Sequence, residues 1–150
     1  MRCRNLSQAE LLISTRIRDV KVDPTRVVVG GTVTVTGIAE HLLPWPWGWQ
    51  PLNNVEVGLI VDNTKVDAKI TSADGGFQFT RQFNVLGTHW VRVRFDGDLL
   101  HDPCESYDIQ VTVITEDQKR EEEQNTLITF LVAGAIACTF IIALASVLRG

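Results

Sequence analysis

Short alternating stretches dominate the first three quarters of the chain. Val20 and Val22 alternate with Lys21 and Asp23 until Pro24 stops the run. Val27 to Val29 is a short β-branched run ending at a Gly30-Gly31 turn. Thr32 to Thr36 then reads T-V-T-V-T, which puts Val33 and Val35 on one face of a half-buried strand. After a Trp/Pro-rich interruption from His41 to Gln50, alternation resumes with Val55, Val57, Leu59 and Val61. Asp62-Asn63 is a turn pair, and Lys65 to Thr71 reads as a weaker strand. Ala73-Asp74-Gly75-Gly76 predicts a hairpin, because glycine supplies the positive φ of tight turns. Phe77 to Phe83, then Val91-Val93-Phe95, then Ile109-Val111-Val113 complete the series, with turns at Leu86-Gly87 and across Asp96 to Ser106. This spacing of strands and turns predicts an all-β, seven-stranded antiparallel sandwich.

The pattern changes completely at the C-terminal end. Thr126 to Leu148, TLITFLVAGAIACTFIIALASVL, contains no charged residue. Its apolar body exceeds the roughly 18 residues at which spanning a bilayer becomes the default. As a helix it is roughly 33 Å long, enough to cross a hydrocarbon core of about 30 Å. The chain therefore divides into an N-terminal lead-in (1–16), the β-sandwich (17–115), a charged juxtamembrane linker (116–125), a single transmembrane helix (126–148) and a short tail (149–150). In the linker, Glu116 with Arg120 and Lys119 with Glu123 stand at i,i+4, so it reads either as a solvated spacer or as an outward extension of the helix. Ala133 with Ala137 and Gly134 with Cys138 repeat small residues every four positions, the spacing that permits close helix–helix packing. The N-terminus lacks the continuous apolar stretch of a secretory signal.

Charge narrows the partners. Fourteen Lys and Arg stand against 18 Asp and Glu, giving a net charge of −4, with no dense basic stripe. Nucleic acid is excluded as the main partner, since phosphate binding needs concentrated positive charge. Cys3, Cys104 and Cys138 are far apart in sequence and show neither a CxxC nor a zinc-ligand spacing, so no cofactor is implied. Asn5-Leu6-Ser7 is a glycosylation sequon, weak support for an exterior location.

The order VKVDPTRVVVGGTVTVTG, PLNNVEVGL, TSADGGFQF, LGTHWVRVRFDGD and then DP resembles the immunoglobulin-like modules of bacterial and archaeal surface proteins. The similarity spans Val20 to Val113 and rests on turns and core positions, so it speaks for fold. It implies an envelope location and a spacer, stalk or adhesive role, with no catalytic residues. Departures are His89 on the sixth strand, His101 where a tyrosine is usual, Cys104 after the proline, and a lengthened loop carrying LLPWPWGW. Positive charges flanking the apolar run are Lys119 and Arg120 before it and Arg149 after it, a count that slightly favours a cytoplasmic N-terminal side. The resemblance implies the opposite, an extracytoplasmic β-domain on a single-pass membrane protein.

Trp45, Trp47 and Trp49 lie within five residues, three of the chain's four tryptophans. Exposed tryptophans mark interaction sites, because they bring large contact area with few rotamers to freeze, and proline stiffens the loop. A protein partner or envelope subunit is the expected target, a glycan stacked on the rings or lipid headgroups are the alternatives, and a lid folded over the sandwich end is the non-binding reading. Loops of such a sandwich cluster at two ends. Glu40 to Asn53 should share an end with Asp96 to Ser106, so that His101 and Asp102 form a polar rim to the tryptophans. His101-Asp102-x-Cys104 also has the elements of a metal-ligand cluster, but Asp belongs in short turns for its local hydrogen bonds. A metal-dependent enzyme at this loop is the reading ranked last, and neither a metal nor a catalytic residue is expected.

Overall fold

The structure is a computed structural model and describes residues 12–126. Ten strands form two sheets, antiparallel between all their longer strands. The first contains β1 (Thr15–Asp23), β3 (Gly31–Leu43), β4 (Gly48–Pro51) and β7 (Gly76–Phe83), with β3 pairing all three others. The second runs β2 (Arg26–Val28), β10 (Ile109–Ile114), β8 (Gly87–Phe95), β5 (Glu56–Val61) and β6 (Thr64–Ile70), with β9 (Cys104–Glu105) also on β8. Seven of these strands, β1, β3, β5, β6, β7, β8 and β10, have six residues or more and form the frame; β2, β4 and β9 are short additions. Sheet membership switches from β3 to β5, back at β7 and again at β8, the strand order of an immunoglobulin-like sandwich.

The alternating apolar residues point into one core. Val33, Val35, Phe77 and Phe79 from the first sheet meet Val57, Leu59, Val91, Val93 and Val111 from the second, all buried. Asp62-Asn63 makes the expected two-residue turn between β5 and β6, with φ of 49° and 66°. β1 is an edge strand with a register shift between Arg18 and Lys21, where Asp19 adopts φ 53°; such bulges blunt an edge against further pairing.

Two expectations are corrected. The Ala73–Gly76 turn does not close a hairpin: β6 pairs β5 while β7 pairs β3, so the turn hands the chain from one sheet to the other. The tight geometry is there, with Ser72 N–H donating to Gly76 O and Gly75 N–H to Ser72 O, each 2.9 Å. What a turn cannot encode is which sheet the next strand joins. The Trp/Pro stretch is likewise more ordered than an interruption. β3 continues to Leu43 and pairs with β4, so residues 44–47 are the tip of a β-hairpin.

The second compact unit begins at Ile114. Residues 116–126 are helical, which makes the linker a helix as far as it is described. Thr115 and Gln118 cap it reciprocally: Gln118 N–H donates to Thr115 Oγ1 at 3.2 Å and Thr115 N–H to Gln118 Oε1 at 3.1 Å. Thr126 is its last described residue. The expected spanning segment beyond it, with Ala133, Gly134, Ala137 and Cys138, lies outside the described residues, as do Cys3 and the Asn5 sequon. Among the described residues no helix is long and apolar enough to cross a membrane.

Candidate interaction site

The hairpin tip separates the three tryptophans. Trp45 is 91% exposed and Trp47 63%. Trp49 sits on β4 opposite Leu42 and is half-buried, with the Arg16 guanidinium 4.0 Å above its ring, a cation–π stack. Arg16 is itself positioned by Glu40. This buried carboxylate takes Arg16 Nη2 at 2.7 Å and Arg18 Nε at 2.8 Å. Burial alone would raise its pKa, but the two guanidiniums outweigh it and hold Glu40 below the usual carboxylate range.

The tip is unusually short of free backbone donors. Pro44 and Pro46 have no N–H. Trp47 N–H donates to Pro44 O at 3.1 Å, and the Gln50 side-chain amide donates to Trp47 O at 2.7 Å. Leu42, Leu43, Pro44, Trp45 and Pro46 line an apolar hollow beside the tip together with Leu12 and Ile13 of the lead-in. With both proline positions lacking a donor and Trp47 N–H already bonded, the one backbone N–H of residues 44–47 that a partner would have to satisfy is that of Trp45.

The loop Asp96–Ser106 shares this pole, as the sandwich geometry requires. His101 bridges to Ile13, and Ile13 N–H donates to Leu100 O at 2.7 Å. His101 Nδ1–H faces Asp98, 2.9 Å from both carboxylate oxygens, which leaves Nε2 to accept from His41 Nδ1–H at 2.9 Å when both rings are neutral. Burial and the adjacent His101 push His41 down. Asp98 is held low despite its own burial, by the Leu100 N–H and by His101. The Asp98–His101–His41 chain thus fastens the loop to β3. The His101 side chain is only 13% exposed. Asp102 contributes its backbone: its N–H donates to Ile13 O and its carbonyl accepts Thr15 Oγ1. Cys104 packs against the core, and burial raises its thiol. Among the described residues no group of three His, Cys, Asp or Glu is placed to hold a metal. His41, Arg16 and Glu40 escape a reading of the sequence alone, because their roles depend on the β1–β3 register, which pairs Arg16 with Glu40, and on a loop 60 residues away.

His89 lies at the opposite pole. Its Nδ1 is 2.6 Å from Asp62 Oδ2 and its Nε2 2.8 Å from Val85 O, so two acceptors face the ring and favour the imidazolium. Asp62 and then the Val85 carbonyl raise its pKa above the ordinary 6.5. A raised folded-state pKa means stability that is fully present below about pH 6.5 and lost as pH rises through the folded value. Asp62, held low by His89, contributes in the opposite sense, above about pH 4. The Tm difference between the wild type and His89→Gln should therefore be largest between about pH 4 and 6.5 and shrink by about pH 9. A difference that stays constant across that range in thermal melts would show that the ring is neutral in the fold.

No family model matches this chain, and no curated protein does. Several solved structures are similar in fold. The CARDB domain of a Pyrococcus furiosus protein, solved in complex with di-metal ions, is 14% identical, covers 69% of this chain and 94% of that one, and has a TM-score of 0.47. The D0-D1 domain of intimin is 20% identical, with 64% of this chain and 47% of that one covered and a TM-score of 0.45. An alkylpurine DNA glycosylase of Pseudomonas fluorescens, AlkC, is 14% identical over 66% of this chain and 30% of its own, at 0.44. At these identities and scores none of them says what this chain binds.

Proposed function

We propose that this chain is a membrane-anchored, non-catalytic interaction module of a prokaryotic cell envelope. In this reading the apolar segment 126–148 holds the immunoglobulin-like domain outside its own bilayer, in an adhesive or spacer role. The Trp45–Trp47 hairpin tip meets a protein partner or envelope subunit. The observation that carries the reading is the exposure of Trp45 and Trp47, 91% and 63%, on a hairpin tip stiffened by two prolines and closed by the Trp47 N–H to Pro44 O bond. A glycan is the weaker target for this tip, because the surrounding hollow is lined by Leu, Ile and Pro with Ser14 as its one hydroxyl. The placement of the tip agrees with an outward role. Val113, where the domain's last strand leaves, pairs with Gly87 at the start of β8, whereas the Trp pole lies beyond Phe95 at the other end of that strand.

The test uses the full chain on intact cells, with a photo-crosslinking residue at position 47 or, as control, at Val85, which is exposed at the other pole. A discrete protein adduct from position 47, and likewise from position 45, but not from the Val85 control is expected, and added protease should digest the domain. Equal labelling from both positions would overturn the hairpin's role, and protection from protease until lysis would overturn the orientation. Trp47→Ala should change stability by less than about 0.5 kcal/mol, as exposed positions do, while abolishing the adduct formed from position 45. A large drop in Tm would instead make Trp47 a lid on the sandwich.

A further inference from the structure

The outer face of the larger sheet carries a second aromatic site that the hairpin does not touch. A groove of about 410 Å³ is lined by Ile60, Asp62, Asn63, Trp90, Arg92 and Asp108. That volume falls within the usual range for small-molecule sites, about 300–1,000 Å³. Trp90 is 50% exposed on β8, which lies between β10 and β5. Its backbone is pinned from both directions: Trp90 N–H donates to Asp62 Oδ1, and Asp62 N–H donates to Trp90 O, each 2.9 Å. The ring is thus mounted on a central strand, the most rigid platform a sheet offers.

Planar polar groups stand around it. Arg92 Nη2 donates to Asn63 Oδ1 at 2.9 Å, and Nη1 lies 3.4 Å from Asp108 Oδ1. Arg92 Nε is buried without a hydrogen-bond partner, with Glu105 3.7 Å away. The guanidinium is therefore held in place by an amide and carboxylates; Nε is shut off from the groove, and the donors left for a ligand are the second N–H groups of Nη1 and Nη2.

We propose that this groove binds a neutral saccharide. Trp90 stacks on the C–H face of one sugar ring, and Asn63, Arg92 and Asp108 bond its hydroxyls. The charge arrangement selects the class. Asp62 is matched by His89, Asp108 by Arg92, and Glu105 by Arg94 at 3.3 Å, so the groove offers neither an anion nor a cation a net attraction. A ligand rich in hydroxyls can accept from the guanidinium and donate to the carboxylates at once, which an ionic ligand cannot do without opposing one of them. The polar lining argues against an acyl chain.

The test is a titration of the full chain in nanodiscs with cellohexaose, chitohexaose and, as the acidic arm, a hexagalacturonate, followed by the indole N–H resonances. At least one neutral hexasaccharide should shift the Trp90 signal with a Kd below about 10 mM. Trp90→Ala should weaken it at least about tenfold, and Trp90→Phe, which keeps a smaller platform, should fall between. The combined Trp45→Ala and Trp47→Ala variant should leave the titration unchanged. No neutral shift up to about 10 mM overturns the proposal, as does binding of the acidic hexasaccharide alone or binding lost only with the hairpin tryptophans.

Discussion

Phe79→Ala should destabilise the domain by about 3–5 kcal/mol, the range for removing a buried phenylalanine. Phe79 is completely buried on β7, opposite Val35 of β3, with its ring 5.9 Å from that of Phe77. A cavity there could close only by moving β7, the strand that the Ser72–Gly76 turn delivers from the other sheet. Folded domains hold only about 5–15 kcal/mol, so the loss is about a fifth of the total or more. For a domain of this size Tm should fall by well over ten degrees. Urea unfolding would read it as a lower midpoint at unchanged slope. A loss under about 1 kcal/mol would mean that β7 does not pack where the structure places it.

The strand inventory was legible in the sequence because alternation is local. Each of Val33/Val35, Val57/Leu59, Val91/Val93/Phe95 and Val111/Val113 names a face without reference to anything distant, and all of them are buried. Sheet membership is not local. The four residues Ala73 to Gly76 favour a tight turn equally well whether the next strand returns beside β6 or crosses to β3. The hairpin of β3 and β4 was obscured for a different reason. Pro44 and Pro46 read as breakers of a strand, yet both fall in the tip, where no ladder N–H is needed. At the candidate site, the tryptophan cluster was visible as composition, but composition could not separate Trp49, stacked under Arg16, from the protruding Trp45 and Trp47. Trp90 is not legible as a binding residue in the sequence, since on its strand it is simply the polar-face neighbour of Val91. The residues that give it a setting, Asn63 and Asp108, come from a turn and a loop far away in sequence.

Gly75→Ala should cost about 2–5 kcal/mol, through two causes that can be measured apart. Gly75 has φ +75°, which for an L-residue costs about 1–2 kcal/mol. Its added Cβ would also lie 2.4 Å from Ala39 O and 3.2 Å from Leu52 N. Those two atoms are donor and acceptor of one hydrogen bond, Leu52 N–H to Ala39 O, 2.9 Å, at the foot of the Trp hairpin. Ala39 N–H in turn donates to Gly75 O at 2.9 Å, so the turn and the hairpin foot are bonded to each other. The obstacle is backbone, which cannot swing aside as a side chain would, and overpacking of this kind adds about 1–3 kcal/mol. Gly48→Ala is the matched control, because Gly48 has φ +65° and nothing within 4 Å of its added Cβ. The reduced entropy of the unfolded chain is common to both variants and cancels. Gly48→Ala should therefore show the conformational cost alone, and Gly75→Ala that cost plus the contact, accompanied by faster amide exchange at Leu52. Equal losses in the two variants, with Leu52 exchange unchanged, would mean that the turn does not brace the hairpin and that Gly75 matters only for its φ.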